Sequence, residues 1–225
     1  MNKSEMVEVL SRYFESWPHL SPEEQEGLLQ NTRFMTFEKG AAIHNGDNDC
    51  LGVLFVKSGM LRVYMLSEEG RDITLFRVNT GGICILSASC VLSSITFDVH
   101  IDAEEYTEAL LISAPYFSVL SENNVYVQNF AYKLTADSFS DVMWTMQQIL
   151  FMSLDKRLAI LLWDELSKTG GNTLYLTHEQ IARYIGSARE VVSRMLKYFS
   201  QEGIVELGRG SIKILDKEKL RLLTE

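Results

Sequence analysis

No stretch of the chain approaches the roughly 18 consecutive apolar residues of a membrane-crossing helix. The opening MNKSEMVEVLSRYF is acidic and amphipathic, without the apolar core and small-residue cleavage site of a signal peptide. Both absences argue against a membrane span or export, and the expectation is a cytoplasmic protein. Proline is scarce, with three in 225 residues, while 46% of residues are apolar and 23% charged. That balance excludes a collagen-like or disordered chain and predicts a globular fold with buried cores. Cysteine is equally scarce. Cys50, Cys84 and Cys90 are an odd set in a chain without an export signal, which argues against a disulfide framework and predicts reduced thiols. Catalytic patterns are missing as well. Ser, His and Asp are scattered, no metal-ligand spacing occurs and no glycine-rich phosphate loop opens a helix, so neither an enzyme nor a metal site is expected.

Positive charge is also in short supply, with 21 Lys and Arg against 30 Asp and Glu and a net charge of −9. A nucleic-acid partner needs clustered cations, so the total argues against one. The distribution reverses that argument. Residues 1–154 hold 9 basic and 20 acidic side chains, a net of −11, whereas residues 155–225 hold 12 and 10, a net of +2.

What is present is a change of pattern along the chain. From Phe34 to Ile112 short β-prone runs alternate with glycine turns, as TFEKG, LGVLFVKSG, LRVYMLSEEG, RDITLFRVNTGG and EALLIS, the spacing of a sandwich or barrel. Residues before Phe34 read as helical and acidic. After Pro115 the period becomes helical, with Val127, Phe130, Leu134, Ser138, Val142, Thr145 and Ile149 recurring every three or four residues. No Gly or Pro interrupts Tyr116 to Thr169. The run reads as a spine in two or three segments, either a dimer seam or a core helix lying on the strands.

Beyond Gly170-Gly171 the tail compresses a helix, a turn, a second helix and a hairpin. Thr177-His178-Glu179-Gln180 has the form of a capping box, Gly186 supplies a tight turn, and Ser187 with Glu190 offers a second box. Two helix starts joined at a glycine are the sequence form of a helix-turn-helix. At about 100° per residue, Arg189, Glu190, Ser193, Arg194, Lys197 and Ser200 fall on one arc of the second helix. Val191, Val192, Met195, Leu196, Tyr198 and Phe199 fill the other. Such a helix packs by one face and enters a major groove by the other, where Arg reads guanine and Glu accepts from cytosine. The same charges would suit a plain solvated helix, with Glu190 and Arg194 as an ion pair or Glu190 spent on a cap. The segment after this helix favours the groove: GIVEL, GRG and SIKI make two alternating strands about a glycine turn, a wing whose Arg209 and Lys213 can reach phosphates.

With these motifs the chain resembles the Crp/Fnr family, the cyclic-AMP receptor and fumarate-nitrate regulators. LTHEQIARYIGSAREVVSRMLKYFSQEGIVELGRGSIKILD is similar to the family's DNA-binding signature. FEKGAAIHNGDNDCLGVLFVKSGMLRVYMLSEEGRDITLFRVNTGG resembles its cyclic-nucleotide-binding barrel, with Gly40, Gly46, Gly59 and Gly70 at turns. The resemblance implies an α+β fold. An effector-sensing, cyclic-nucleotide-binding-like jelly-roll β-barrel would span residues 1–115, a long connecting and dimerisation helix 116–153, and a winged helix-turn-helix 154–225. It implies a homodimeric transcription regulator on pseudo-palindromic double-stranded DNA, with RNA polymerase a further partner open to it and no membrane association. Arg189, Glu190, Ser193 and Arg194 would touch base edges or adjacent phosphates and Thr177 a phosphate, with Ser187, Lys197 and Arg209 completing the DNA-contacting set. Arg189 and Glu190 are of the cyclic-AMP receptor type, whereas Glu190, Ser193 and Arg194 match the fumarate-nitrate type, which leaves the half-site open between them. Ala188 and Val191 stand where the family often has Ser and Thr, so one or two phosphate contacts are lost.

The effector pocket departs further from the family. A cyclic-nucleotide site like the family's holds Gly-Glu and then Arg-Ser, an acceptor for the ribose hydroxyl and a cation for the phosphate. Counted from Gly81-Gly82, those positions fall on Ile85-Leu86 and Phe97-Asp98, and no Arg occurs between Arg77 and Arg157. The polar pair that receives adenine corresponds to Val142-Met143. Ile85, Leu86, Phe97, Asp98, Val142 and Met143 are thus the candidate pocket of an unidentified small effector other than cyclic AMP, and no cofactor is assigned. Three cysteines fall short of the four thiolates of an iron–sulfur cluster. Cys84 and Cys90 are a redox pair, haem ligands or buried small apolar residues, and His100 is either a haem ligand or structural. Met143, Trp144, Met146, Phe151 and Met152 suit a helix core or dimer seam. The alternative to a sensor is a constitutive DNA-binding regulator whose barrel is a ligand-free dimerisation domain.

Overall fold

The computed structural model describes residues 1–46, 51–86 and 98–225. The chain divides into two compact units, one of Met1–Leu66 with Leu75–Val142 and the other of Ser67–Thr74 with Met143–Glu225. No helix among the described residues is long and apolar enough to cross a membrane.

The first unit opens with α1 (Lys3–Tyr13) and α2 (Pro22–Gln30), each begun by a full capping box, Asn2 with Glu5 and Ser21 with Glu24. Among the described residues eight strands come next: β1 (Thr32–Phe37), β2 (Ala42–Asn45), β3 (Gly52–Ser58), β4 (Met60–Leu66), β5 (Asp72–Asn79), β6 (Ile83–Cys84), β7 (His100–Ala103) and β8 (Thr107–Ser113). They make two four-stranded sheets, in the orders β1-β8-β3-β6 and β2-β7-β4-β5. β2, β6 and β7 lie outside the five expected runs. β6 has only two residues, and β2 and β7 have four each, with the polar His44, Asn45, His100 and Asp102 among them, too little alternation for periodicity to register.

Side-chain period explains why LGVLFVKSG reads as a continuous apolar run. In β3, Val53 and Phe55 enter a core shared with Leu10, Phe14, Phe117 and Phe130 of the helices, while Leu54 and Val56 enter a second core with Leu61, Val63 and Ile101. A strand buried on both faces cannot alternate. Its first residue must be glycine, because Gly52 has φ +135° and a Cβ there would lie 1.9 Å from the carbonyl oxygen of Ile112. On the other face of the second sheet, Arg62 meets its cross-strand neighbour Asp102 with two hydrogen bonds of 3.2 and 2.9 Å and lies over the Tyr64 ring.

Three helices occupy the uninterrupted stretch after the strands: α3 (Ala114–Asn123), α4 (Val125–Phe151) and α5 (Leu154–Thr169). In α4 the expected stripe from Val127 to Ile149 is the more buried face, with Val127 and Phe130 fully in the core. The opposite face is apolar too. Tyr132, Ala136, Phe139, Met143, Met146 and Leu150 are exposed there, separated alternately by four and three residues.

The second unit carries β9 (Thr173–Leu174), α6 (His178–Ile185), α7 (Arg189–Gln201), β10 (Val205–Gly208), β11 (Ser211–Ile214) and α8 (Lys217–Leu222). Its core is built by Leu158 and Leu162 of α5, Ile181 and Ile185 of α6, Val192, Leu196 and Phe199 of α7, and Ile212 and Ile214 of β11. β9 is the third strand of the wing sheet, pairing Leu174 with Ile212. Two residues are too short to announce themselves in sequence.

Candidate nucleic-acid interface

Helix α6 begins where local chemistry dictates. The Thr177 hydroxyl accepts from the Gln180 amide at 3.2 Å, and the Gln180 side-chain oxygen accepts from the Thr177 amide at 3.0 Å. The helix ends on Gly186 in the left-handed region, φ +61°, and the Ser187 amide returns to the carbonyl of Ala182 at 2.9 Å. Arg157 of α5 reinforces that turn by donating to the Ile185 carbonyl at 2.6 Å. Burial lowers the pKa of this guanidinium from its ordinary value.

The second capping box does not form. The N-cap of α7 is Ala188, with no side-chain cap bond. Ser187 is drawn into the closing turn of α6, so it sits one position too early to accept from the amides of α7, and Glu190 falls in the first turn rather than at the third position. The other use foreseen for Glu190, an ion pair with Arg194, is not made either. Among the described residues no salt bridge or side-chain hydrogen bond engages Arg189, Glu190, Arg194, Lys197 or Arg209, and the first four are exposed on one side of α7. Ser193 and Ser200 are half-buried beside them, while Val192, Leu196 and Phe199 are fully buried. Tyr198 departs from its expected arc and is 51% exposed. It lies about 120° around the helix from the middle of the three buried residues, at the rim where apolar and polar faces meet.

The wing is the hairpin of β10 and β11, in register from Val205 with Ile214 to Gly208 with Ser211. Arg209 and Gly210 form its two-residue turn, with Gly210 at φ +74°. Lys213 is held by Glu206 at 3.2 Å, which leaves Arg209 as the wing's uncommitted cation. Between the wing, the start of α7 and the start of α6 lies a cavity of about 350 Å³, lined by Thr177, His178, Glu179, Arg189, Gly210 and Ser211 among others. Thr177 and Arg189 are thus brought together, whereas Ser193, Arg194 and Lys197 lie farther along α7, outside the cavity. His178 and Ser211 escaped the sequence reading. One was hidden inside a capping motif, and the other was placed only as a strand residue.

The candidate effector residues are not gathered in the same way. Ile85 belongs to the core under the helices, Leu86 to the core between the sheets, and Val142 packs partly buried against the latter. Asp98 and Met143 are exposed, and Phe97 lies outside the described residues. Cys84 is buried between the sheets opposite Leu54, and Cys50 and Cys90 lie outside the described residues. Among the described residues no three His, Cys, Asp or Glu side chains are grouped to hold a metal ion.

With this geometry in view, the likenesses to known proteins are consistent. Residues 156–223 match the Crp-like helix-turn-helix domain. The chain is 28% identical over 177 residues to the transcriptional regulator SdrP of Thermus thermophilus, covering 76% of this chain and 82% of that protein. It is 24% identical over 196 residues to the cyclic AMP receptor protein of the same organism, covering 87% and 89%. A solved Eubacterium rectale structure assigned to the Crp/Fnr family is 46% identical, with a TM-score of 0.90 over 94% of this chain and 98% of that one. Sheet-rich front unit, long helix and winged tail together place the chain in the Crp/Fnr family of transcription regulators.

Proposed function

We propose that the protein is a homodimeric, sequence-specific DNA-binding regulator in which α7 reads base edges and the wing grips the backbone, under control of a signal other than cyclic AMP. The observation that carries this is the polar face of α7, whose Arg189, Glu190, Arg194 and Lys197 are exposed and uncommitted while the opposite face is locked in the core. Glu190 and Arg194 stand four residues apart, where a pair along the helix would form, and they do not pair, which leaves both side chains available to DNA. Ser193 and Ser187 flank the reading set, Thr177 and Arg209 are its phosphate contacts, and RNA polymerase is a further partner of such a regulator. Arg194→Ala should weaken specific binding by about 1–3 kcal/mol and relax the preference at one base pair. Arg209→Ala should weaken binding to all sequences alike and flatten the salt dependence by about one unit. Competition titrations against a selected operator and its single-base variants separate the two. Equal, sequence-independent losses would show that Arg194 is no base reader.

The exclusion of cyclic AMP is motivated by Leu86, which is buried among apolar residues and offers the ribose no acceptor, and by Asp98, an exposed carboxylate at the position of the family's serine, where it repels a phosphate. Cyclic AMP and cyclic GMP at millimolar concentration should leave the melting temperature unchanged. A true ligand at a hundred times its dissociation constant would add about 2.7 kcal/mol of stability. A thermal shift with either nucleotide overturns this assignment. The apolar filling by Ile85 and Leu86 equally favours a second reading, a ligand-free barrel on a constitutive regulator. Unchanged DNA affinity of Cys84→Ser and Cys90→Ser variants with and without oxidant would support it over a thiol-based signal.

A further inference from the structure

We infer that His178 makes DNA binding proton-linked, holding a backbone phosphate as an imidazolium in the cavity between the wing and the two helices; the inference rests on the DNA-binding reading above. Three separate elements bring polar groups to that cavity: Thr177 and His178 from the start of α6, Arg189 from α7, and Ser211 from the wing. The Thr177 hydroxyl donates to the Gln180 side-chain oxygen at 2.9 Å, so the Ser211 hydroxyl and the Arg189 guanidinium are the donors left to a tetrahedral anion in this space of about 350 Å³, and an imidazolium adds a third. His178 is half-buried at its wall. Its side chain takes no part in the capping box, which is made by Thr177 and Gln180, so its presence there is not explained by helix initiation.

The charges facing the cavity are few. Arg189 comes from α7 and Glu179 from α6, and the wing residues Gly208, Gly210, Ser211 and Ile212 bring none. Glu179 is turned along its own helix toward Arg183, at 3.9 Å. Arg189 supplies one positive charge, and an incoming phosphate, singly negative in the DNA backbone, compensates it and favours a second donor on His178.

The sequence adds an independent argument. Of the four histidines, His19, His44 and His100 lie in the first unit, and Met143–Glu225 contains no cysteine. His178 is therefore the one imidazole of the DNA-binding unit, which has no thiol, and imidazole is the side chain that most readily changes charge near neutral pH. A phosphate beside it favours the charged imidazolium, so the contact strengthens as the pH falls and is lost as the pH rises.

The test uses the full chain and a fluorescein-labelled, mixed-sequence duplex of about 30 base pairs, followed by anisotropy at fixed ionic strength from about pH 6 to pH 8. The wild type should bind about three- to tenfold tighter at the acid end. His178→Gln should lose that pH-dependent part, and His178→Arg should bind tightly with no histidine-linked change. A second readout is insensitive to stability. Only at the acid end should the wild-type salt dependence exceed that of His178→Gln, by about 0.9 for each phosphate neutralised. Parallel pH profiles and equal salt slopes for wild type and His178→Gln would overturn the inference and leave DNA binding standing. Failure to bind the duplex at any pH would overturn both.

Discussion

Phe139→Glu should turn the protein into a monomer and lower its affinity for a palindromic duplex by about a hundredfold or more. Phe139 is 65% exposed on α4, and its neighbours Tyr132, Ala136, Met143, Met146 and Leu150 continue the same line. Spacings of four and three residues keep these side chains on one seam of a slightly supercoiled helix, the pattern by which two helices pack together. Each large apolar group on that line is about half exposed and so forgoes roughly half of the ~1.5–3 kcal/mol that full burial contributes. A helix already anchored through Val127 and Phe130 gains nothing for its own unit from a second apolar face, so a second copy of the chain is the natural cover. A glutamate at this layer meets its own symmetry mate across the seam and must be desolvated beside a like charge. The monomer then holds one half-site alone, without the effective concentration that linkage to the second half-site provides. Sedimentation equilibrium with the matching DNA titration reads both effects, and Phe139→Leu, which keeps the seam apolar, should retain the dimer. A Phe139→Glu protein that stays dimeric at micromolar concentration and binds DNA unchanged would place the dimer contact elsewhere.

The same helix shows where sequence reasoning runs out. Periodicity identified the stripe from Val127 to Ile149, and that stripe is the more buried one. It could not decide between core and dimer seam, because α4 has two apolar faces and one-dimensional spacing does not say which neighbour covers each. Features set by contacts between near neighbours were legible: the Thr177–Gln180 box, the glycine turn at Gly186 and the Arg209-Gly210 hairpin all appear where the residue types place them. The failed box at Ser187 was also a local prediction, and it lost to another local interaction, the return of the Ser187 amide to α6. The strands β2, β7 and β9, and the cavity around His178, depend on residues distant in sequence. Ala42 pairs with Asp102, Thr173 with Lys213, and His178 shares a cavity with Ser211. No window of a few residues contains those pairings.

Phe199→Ala should destabilise the DNA-binding unit by about 3–5 kcal/mol, whereas Tyr198→Ala, one residue earlier, should cost under about 1 kcal/mol. Both side chains are large, aromatic and on the apolar arc of the helical wheel, so composition and periodicity treat them alike. The fold separates them. Phe199 is fully buried among Leu158, Leu162, Val192 and Leu196, and its carbonyl accepts from Ile204 where α7 hands over to the wing. Tyr198 is half exposed, and water already touches much of what its truncation would uncover. Removing the Phe199 ring leaves a void between α5 and α7, and packed helices close such a void only partly, so the lost transfer energy and the cavity cost add. A marginal unit of this size has about 5–15 kcal/mol to lose, so the substitution should populate an unfolded tail at physiological temperature. Because the first unit has cores of its own, calorimetry of Phe199→Ala should show one transition moved down sharply and the other little changed. DNA binding should fail at the lower transition and return on cooling. A Tyr198→Ala loss as large as that of Phe199→Ala would mean that α7 is rotated from the orientation described, and with it the set of side chains offered to the major groove.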